Sequence, residues 1–327
     1  MTGLGVGLWA VITIAVAGPA TSTEYLPLHV AKAEGYFAQE KLDVTLTVER
    51  TEGDAARALA RGRADLAATS LDAAYRQGHV AGAPPPLLFG FTAAAPVAIL
   101  VSPNHKDTVR SPADLRGQPV GLPGAGTPEQ AMLNTILMRT RVKIHQVPLR
   151  SFSTRALEGA LARGEVAAGV MADPAITRMV DEGTASILVD LRQRADTARW
   201  LGAETVHAAL FVRVGSSLDE RDLSALARAL LRALARVAEA TPEALLSTLP
   251  EPVRGQPADF RVRLSGARLS YLPRGQVTDE MLKASINQAR ERAPFPTVVK
   301  LPWFGWSSLL LSAPLERALE ASPAPAP

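Results

Sequence analysis

Past its first forty residues the chain alternates short β-branched runs with longer Ala- and Leu-rich stretches whose apolar positions recur at helical spacing. Runs of the first kind predict buried strands and runs of the second predict amphipathic helices. Their alternation predicts an α/β fold of mainly parallel sheets with helices on both faces. The predicted strands are residues 44–48, 65–69, 87–91, 97–101, 119–122, 144–148, 167–171, 187–190 and 206–212, with helices in the gaps. One helix start is explicit. Ser111-Pro112-Ala113-Asp114 offers a capping hydroxyl, a proline at the first helical position and an acid in the first turn.

The N-terminus supports two readings. Residues 4–17 are uncharged and have the length of an export signal's apolar region, short of the roughly 20 residues a membrane-spanning helix needs. No Lys or Arg precedes them, so the positive start of such a signal is missing. The stretch Val11-Ile12-Thr13-Ile14-Ala15-Val16-Ala17, closed by Gly18-Pro19, also reads as a buried first strand. On that reading residues 1–10 are the remnant of an export signal. The strand then feeds a polar loop in which Thr23 caps a helix opening at Glu24, the first charged residue.

The pattern also repeats. Ala58-Leu59-Ala60-Arg61-Gly62 returns as Ala160-Leu161-Ala162-Arg163-Gly164, 102 residues later. Each copy closes a helix at glycine and is followed by a short strand and another helix. Upstream, the Gly18 to Glu24 loop answers Gly124-Ala125-Gly126-Thr127-Pro128-Glu129. Two related lobes follow from this, which suits a chain of 327 residues. The C-terminal third is expected to pack on the first lobe through helices at residues 223–240 and 278–292, the latter capped by Thr278. Residues 301–306 hold two of the four tryptophans and read as buried packing, and residues 322–327 as a disordered Pro/Ala tail.

Composition removes several classes of chemistry. The sequence contains no cysteine, which excludes disulfides, iron–sulfur clusters, thiol nucleophiles and cysteine-bound zinc. A net charge of +3, evenly scattered, is no nucleic-acid footprint. The five histidines are widely separated, lack any His-Glu-x-x-His pattern and read as surface or boundary residues. Gly121-Leu122-Pro123-Gly124-Ala125-Gly126-Thr127 lacks the Lys-Ser/Thr of a phosphate loop, and no Gly-x-Ser-x-Gly elbow occurs. No catalytic set, metal site or cofactor is expected.

Open α/β sheets bind ligands beyond the carboxyl ends of their strands, so the loops there are the candidate site. Four are rich in small residues and hydroxyls: residues 19–23, 51–54, 69–71 and 124–127. Each precedes a helix whose first N–H groups lack intrahelical partners, an arrangement that favours an anion. Asp173-Pro174 opens a helix after the strand ending at Met171 and points to the same cleft from the second lobe.

Residues 24–37, Glu-Tyr-Leu-Pro-Leu-His-Val-Ala-Lys-Ala-Glu-Gly-Tyr-Phe, followed by Leu42-Asp43-Val44, resemble the opening of sulfonate-, nitrate- and taurine-type periplasmic solute-binding proteins. These are related to thiamine-pyrimidine-precursor-binding proteins. The resemblance continues through Ala58 to Leu66, Asp114-Leu115-Arg116-Gly117 with Val120-Gly121, and the helix start at Gly126-Thr127, over roughly residues 11–215. It implies a two-lobed type II periplasmic-binding-protein fold, each lobe a mainly parallel sheet flanked by helices, joined by a two-strand hinge at 97–101 and 206–212. Lobe 1 would be residues 11–96 plus 207–321, and lobe 2 residues 97–206.

The implied function is capture of a small anionic organic solute by a periplasmic monomer that delivers it to the membrane permease and ATPase of an ABC importer, with no chemistry of its own. By motif position the ligand contacts would be Thr21, Ser22, Thr23, Gly53 and Ser70, and across the cleft Gly126, Thr127 and Asp173. Two departures bear on the ligand. Ala172-Asp173 stands where family members often have a tryptophan and an acid before the proline, and the four loops contain no Arg or Lys, leaving Arg150 as the nearest counter-charge. An enzyme of pyrimidine or menaquinone-precursor metabolism on the same fold is the rival reading, although its fungal relatives rely on a cysteine-rich iron site. A sensor receptor is the third.

Overall fold

The computed structural model describes residues 9–124, 127–292, 295–296 and 306–321. Among them the strands are β1 (Ala10–Ala17), β2 (Leu42–Glu49), β3 (Leu66–Ser70), β4 (Leu87–Gly90), β5 (Val97–Val101), β6 (Val120–Leu122), β7 (Leu149–Ser151), β8 (Ala168–Ala172), β9 (Ser186–Asp190) and β10 (Ala208–Val212). The first seven helices are α1 (Leu26–Ala33), α2 (Tyr36–Gln39), α3 (Glu52–Ala60), α4 (Leu71–Ala81), α5 (Pro128–Arg139), α6 (Thr154–Ala162) and α7 (Ala175–Asp181). There follow α8 (Arg194–Leu201), α9 (Glu220–Glu239), α10 (Pro242–Thr248), α11 (Glu251–Arg254), α12 (Pro257–Ser270), α13 (Asp279–Arg292) and α14 (Ser312–Ala321).

The strands form two five-stranded sheets of the same topology, ordered β2-β1-β3-β10-β4 and β7-β6-β8-β5-β9. In each, the fourth strand is antiparallel: β10 pairs antiparallel with β3 and β4, and β5 with β8 and β9. The remaining pairings are parallel. The helices covering them are flanked by separate apolar cores, one drawing on residues before Ala94 and after Thr205, the others on residues 94–201. Among the described residues no helix is long and apolar enough to cross a membrane.

The sequence repeat is a repeat of backbone geometry. Gly62 and Gly164 close α3 and α6 with φ of +71° and +74°, a left-handed conformation that glycine adopts without a Cβ penalty. In the first lobe the Arg63 N–H donates to Ala58 O at 2.9 Å and the Asp65 N–H to Thr13 O at 2.9 Å. In the second, Glu165 donates to Ala160 O at 2.9 Å and Ala167 to Pro119 O at 2.8 Å. The same cap thus launches β3 against β1 and β8 against β6, each as the central strand of its sheet.

The strand expected at 11–17 is β1, paired along its length with β2 and also with β3. Ile12 and Ile14 are fully buried there, so β1 is a structural part of the first sheet. Two expectations change. Residues 144–146 form a 3-10 turn in which the Gln146 side chain accepts from the Lys143 N–H at 2.9 Å, and β7 begins after Pro148. Pro148 has no N–H to give a ladder, so pairing starts one residue later. Ser111-Pro112-Ala113-Asp114 opens a 3-10 turn, Pro112–Leu115, instead of a full helix. The Asp114 carboxylate folds back onto Ser111 N and Oγ at 2.8 and 2.9 Å, and Arg116 is already extended toward β6.

Two connections join the lobes, at residues 91–96 and 202–207. They run side by side, with the His207 N–H on Thr92 O at 2.8 Å and Thr205 Oγ1 on Ala93 O at 2.8 Å. The strands beyond these connections, β5 and β10, enter opposite sheets. The C-terminal helices return to the first lobe, where α9 packs on α1 and α14 and is tied by Arg228–Glu40 (2.7 Å), Arg236–Glu34 (3.3 Å) and Arg317–Glu220 (2.9 Å). Leu310 bridges to the edge strand β4, and Thr278 Oγ1 accepts from Met281 N at 3.2 Å, capping α13 as expected. The readings made for residues 301–305 and 322–327 lie outside the described residues.

Gly121 shows why part of the glycine-rich stretch is glycine. A Cβ there would lie 2.1 Å from Cδ1 of Leu157, a buried side chain of α6. Gly121→Ala is therefore expected to cost about 1–3 kcal/mol by overpacking. Urea denaturation measures this, and in a double-mutant cycle with Leu157→Ala the two losses should be less than additive.

His29, expected at a surface or boundary, is buried in α1, and loss of solvent pushes its imidazole pKa down from 6.5 to about 4. The folded state therefore resists protonating it. The stability it permits is complete above pH 6.5 and is lost as pH falls toward 4, by up to about 3 kcal/mol. His29→Leu should flatten the stability profile between pH 6.5 and 4; an unchanged acid limb would show that other groups set it.

Candidate binding cleft

Parallel strands bring their following loops to one edge. β1 leads through Gly18–Ser22 into a 3-10 turn, Thr23–Tyr25, which presents Glu24. β2 leads to Thr51, whose hydroxyl caps α3 by accepting from Asp54 N at 3.1 Å, so that Glu52 stands in the first turn. β3 ends at Ser70, which caps α4. β4 is followed by Thr92. Because β10 runs antiparallel, its beginning lies at this same edge, and the residue before it is His207.

These five strand ends converge. His207 Nε2 is 3.5 Å from Glu24 Oε1 and 3.5 Å from Glu52 Oε1, and one donor atom from each residue can be chosen so that all three lie within 4.8 Å of one another. Ser70 Oγ donates to Glu52 Oε2 at 2.6 Å, Thr69 Oγ1 donates to Glu52 O at 2.8 Å, and Thr92 Oγ1 lies 3.4 Å from Glu24 Oε1. The His207 backbone is held on both sides, its N–H on Thr92 O and its carbonyl accepting from Leu71 N, each at 2.8 Å. The Glu24 carboxyl is pushed up to about 7, chiefly by burial. The charges of Glu52 and Glu129 add to that shift, while His207 and the Thr92 hydroxyl oppose it.

The second lobe faces this edge through α5. Thr127 caps it, accepting from Gln130 N at 3.4 Å and donating to Gly124 O at 3.2 Å, and Glu129 sits in its first turn. A narrow crevice lies between the lobes, lined by Leu71, Asp72 and His207 on one side, Met132 of α5 and Leu201 of α8 on the other, and Ser285 and Gln288 of α13.

Asp173 has internal partners. Its Oδ1 accepts from Thr177 N at 3.0 Å and Thr177 Oγ1 at 2.9 Å, and its Oδ2 from Arg192 Nη1 at 2.8 Å. Arg192, 12% exposed, also donates to both Asp190 carboxylate oxygens, at 2.9 and 2.8 Å. This buried triad presses on the first lobe, because a Cβ on Gly266 of α12 would lie 2.7 Å from Asp173 Oδ2.

Of the residues expected at the site, Thr23, Gly53 and Ser70 lie beside the convergent groups, and Thr127 faces them from α5. Thr21 and Ser22 stand on the β1–α1 loop, half-buried; Gly126 lies outside the described residues. Thr23 is not a side-chain cap: it begins the 3-10 turn, and its carbonyl accepts from the Tyr271 hydroxyl. Arg150 is exposed on β7 and donates to Glu165 O at 3.2 Å.

Sequence reasoning passed over Glu24, Glu52 and His207. The two glutamates adjoin residues it selected, Thr23 and Gly53, and looked like first-turn acids. No local signal marks His207, since its place depends on the direction of β10.

The fold agrees with comparisons to known proteins. The chain belongs to the NMT1/THI5 like family, whose profile matches residues 22–244. Its fold matches the periplasmic aliphatic sulphonate binding protein SsuA from Escherichia coli at TM-score 0.71 and 17% identity, covering 92% of this chain and 98% of that one. The alkanesulfonate-binding protein SsuA from Xanthomonas axonopodis pv. citri, bound to MOPS, matches at TM-score 0.61 and 18% identity, covering 92% and 98%. The nitrate-binding protein NrtA from Synechocystis PCC 6803 matches at TM-score 0.64 and 14% identity, covering 97% and 90%. No curated protein matches in sequence. The fold is thus that of type II periplasmic binding proteins.

Removing one partner of a buried ion triad leaves carboxylates without their counter-charge. Arg192→Met is expected to cost on the order of 3 kcal/mol at pH 7. A denaturation midpoint within error of the parent would show that Asp173 and Asp190 are satisfied without the guanidinium.

Proposed function

We propose that the protein is the solute-binding component of an ABC importer. It captures a small organic solute between its lobes and delivers it, from the periplasm and as a monomer, to a membrane permease driven by its ATPase. The lobes are taken as residues 11–96 with 207–321, and 97–206, moving about the paired connections. Carrying this reading is the convergence of five strand ends of the first lobe on one edge, opposite the capped N-terminus of α5, with a crevice between the lobes that His207 and Met132 both line. A solute touched from both sides binds the closed form better than the open one, which is the free-energy source that closure requires. The sulfonate and nitrate binders of the same fold support the reading, as does membership of the family.

The charge of the cleft favours a different solute class from those neighbours. An anionic solute was the expectation, but Glu24, Glu52 and Glu129 bring negative charge to the cleft, Arg150 is turned to a surface carbonyl, and Arg192 is enclosed by two aspartates. The group of the solute that meets Glu24 and Glu52 is therefore proposed to be cationic or a hydrogen-bond donor. Thr21, Ser22, Thr23, Gly53, Ser70, Gly126 and Thr127 remain proposed contacts around it, and Asp173 is proposed to act through Arg192 at the cleft margin.

The absence of native cysteine makes the test clean, because engineered cysteines at Ala38 and Arg155, one in each lobe, can carry a fluorophore pair. A thermal-shift screen of amines, amino acids, pyrimidines, sulfonates and nitrate should yield a stabilising compound that changes energy transfer between the labels and is recovered unchanged. A compound that binds and is chemically altered would overturn the receptor reading in favour of an enzyme.

A further inference from the structure

The Glu24–Glu52–His207 cluster has the donor types and spacing of a metal site. Ligand atoms bound at roughly 2.1 Å stand roughly 3.0 Å apart in octahedral and roughly 3.4 Å apart in tetrahedral coordination. Here the imidazole Nε2 lies 3.5 Å from a carboxylate oxygen of each glutamate. The three residues come from three separate strand ends, so the sheet itself fixes their spacing. Glu52 is oriented from behind as metal ligands are, since Ser70 Oγ holds its Oε2 and leaves Oε1 toward His207, while Thr92 Oγ1 lies 3.4 Å from the same Glu24 Oε1 that faces His207. The third, His207, has its backbone pinned on both sides.

A second observation is independent of the cluster. The Tyr25 hydroxyl is buried and has no hydrogen-bond partner among the described residues, although its ring packs edge-on against Phe91 at 6.0 Å. It lies close enough to Glu24 and Glu52 for both charges to act on it. A buried polar group left over within the electrostatic reach of both carboxylates is one whose hydrogen bonding a ligand can complete.

We propose that Glu24, Glu52 and His207 form a facial site for a divalent first-row transition-metal ion, with its remaining coordination positions open to the cleft. The assignment deepens the receptor reading by making the cationic group in the cleft a metal ion, free or carried by a chelating solute. Mixed imidazole and carboxylate donors suit Zn²⁺, Co²⁺, Fe²⁺ or Mn²⁺ better than Ca²⁺.

The full chain, stripped with a chelator and dialysed, is titrated with Co²⁺ under visible absorption and with Zn²⁺ by calorimetry. One equivalent should bind with a d–d absorption band, and E52Q and H207A should each weaken binding by at least about 100-fold, with S70A weakening it by about 10-fold. Metal-free melting curves of the variants verify that they fold, and E24Q serves if either does not. Failure to bind either metal below millimolar concentration, or binding that survives E52Q and H207A, overturns the assignment. If an organic amine instead binds the chelator-treated chain as tightly as the metal-loaded one and is lost in E52Q, the carboxylates hold the solute's own nitrogen. The metal assignment then fails while the receptor reading stands.

Discussion

The architecture depends on the antiparallel insertion of β10 between β3 and β4. Until those ladders form, the first sheet lacks a continuous path from β3 to its edge strand, and the chain reaches β10 only after building the second lobe. Sheet closure in one lobe is thereby coupled to completion of the other. The same insertion places Ala208 opposite Ser70 and brings His207 to the edge where β1, β2 and β3 deliver their loops. A parallel strand at this position would have put the histidine at the far end of the sheet, away from both glutamates.

The two lobes solve the same packing problem with different materials. Both use an Ala-Leu-Ala-Arg-Gly helix end and the same pair of backbone hydrogen bonds to start their third strand. Small side chains on those helices let them lie close to the sheet, and in the second lobe Gly121 and Gly169 carry the approach of Leu157 further. The core of the first lobe adds aromatic volume, with Tyr75 edge-on to Phe211 and Phe89 tilted against Phe91. The buried residues of the second lobe's apolar clusters are aliphatic or methionine. A shared backbone plan therefore tolerates cores of quite different composition as long as the helix ends and strand starts are kept.

Local chemistry made the elements legible, while the site needed topology. β-branched runs marked β1 and β5 to within a residue, because a buried strand must satisfy its pattern locally. The same reasoning failed at residues 144–146, where apolar Ile144 belongs to a turn and Pro148 delays the strand. Loop positions at the site were readable as well, since hydroxyls at helix starts have a local reason to be there: Thr51, Ser70 and Thr127 all cap. The charged groups beside them were not. Glu24 and Glu52 have an adequate local explanation as first-turn acids, and only the three-dimensional meeting with a histidine some 155 residues further on than Glu52 gives them another.

That meeting changes what the cleft selects. Helix N-termini at the cleft favour negative charge, each by roughly 0.3–1 kcal/mol when exposed. Burial of Glu24, with the charge of Glu52 adding to it, opposes further negative charge and raises the Glu24 carboxyl to about 7. On the proposed reading the helix dipoles in this cleft are engaged by the protein's own acids, and the solute group that meets them is cationic or a hydrogen-bond donor. On that proposal, a fold shared with sulfonate and nitrate binders would change its selectivity through two side chains, without altering a strand. The buried Asp173–Arg192–Asp190 triad has the same consequence from the other lobe: by enclosing its arginine between two carboxylates, it withholds the cation that an anionic solute would have used.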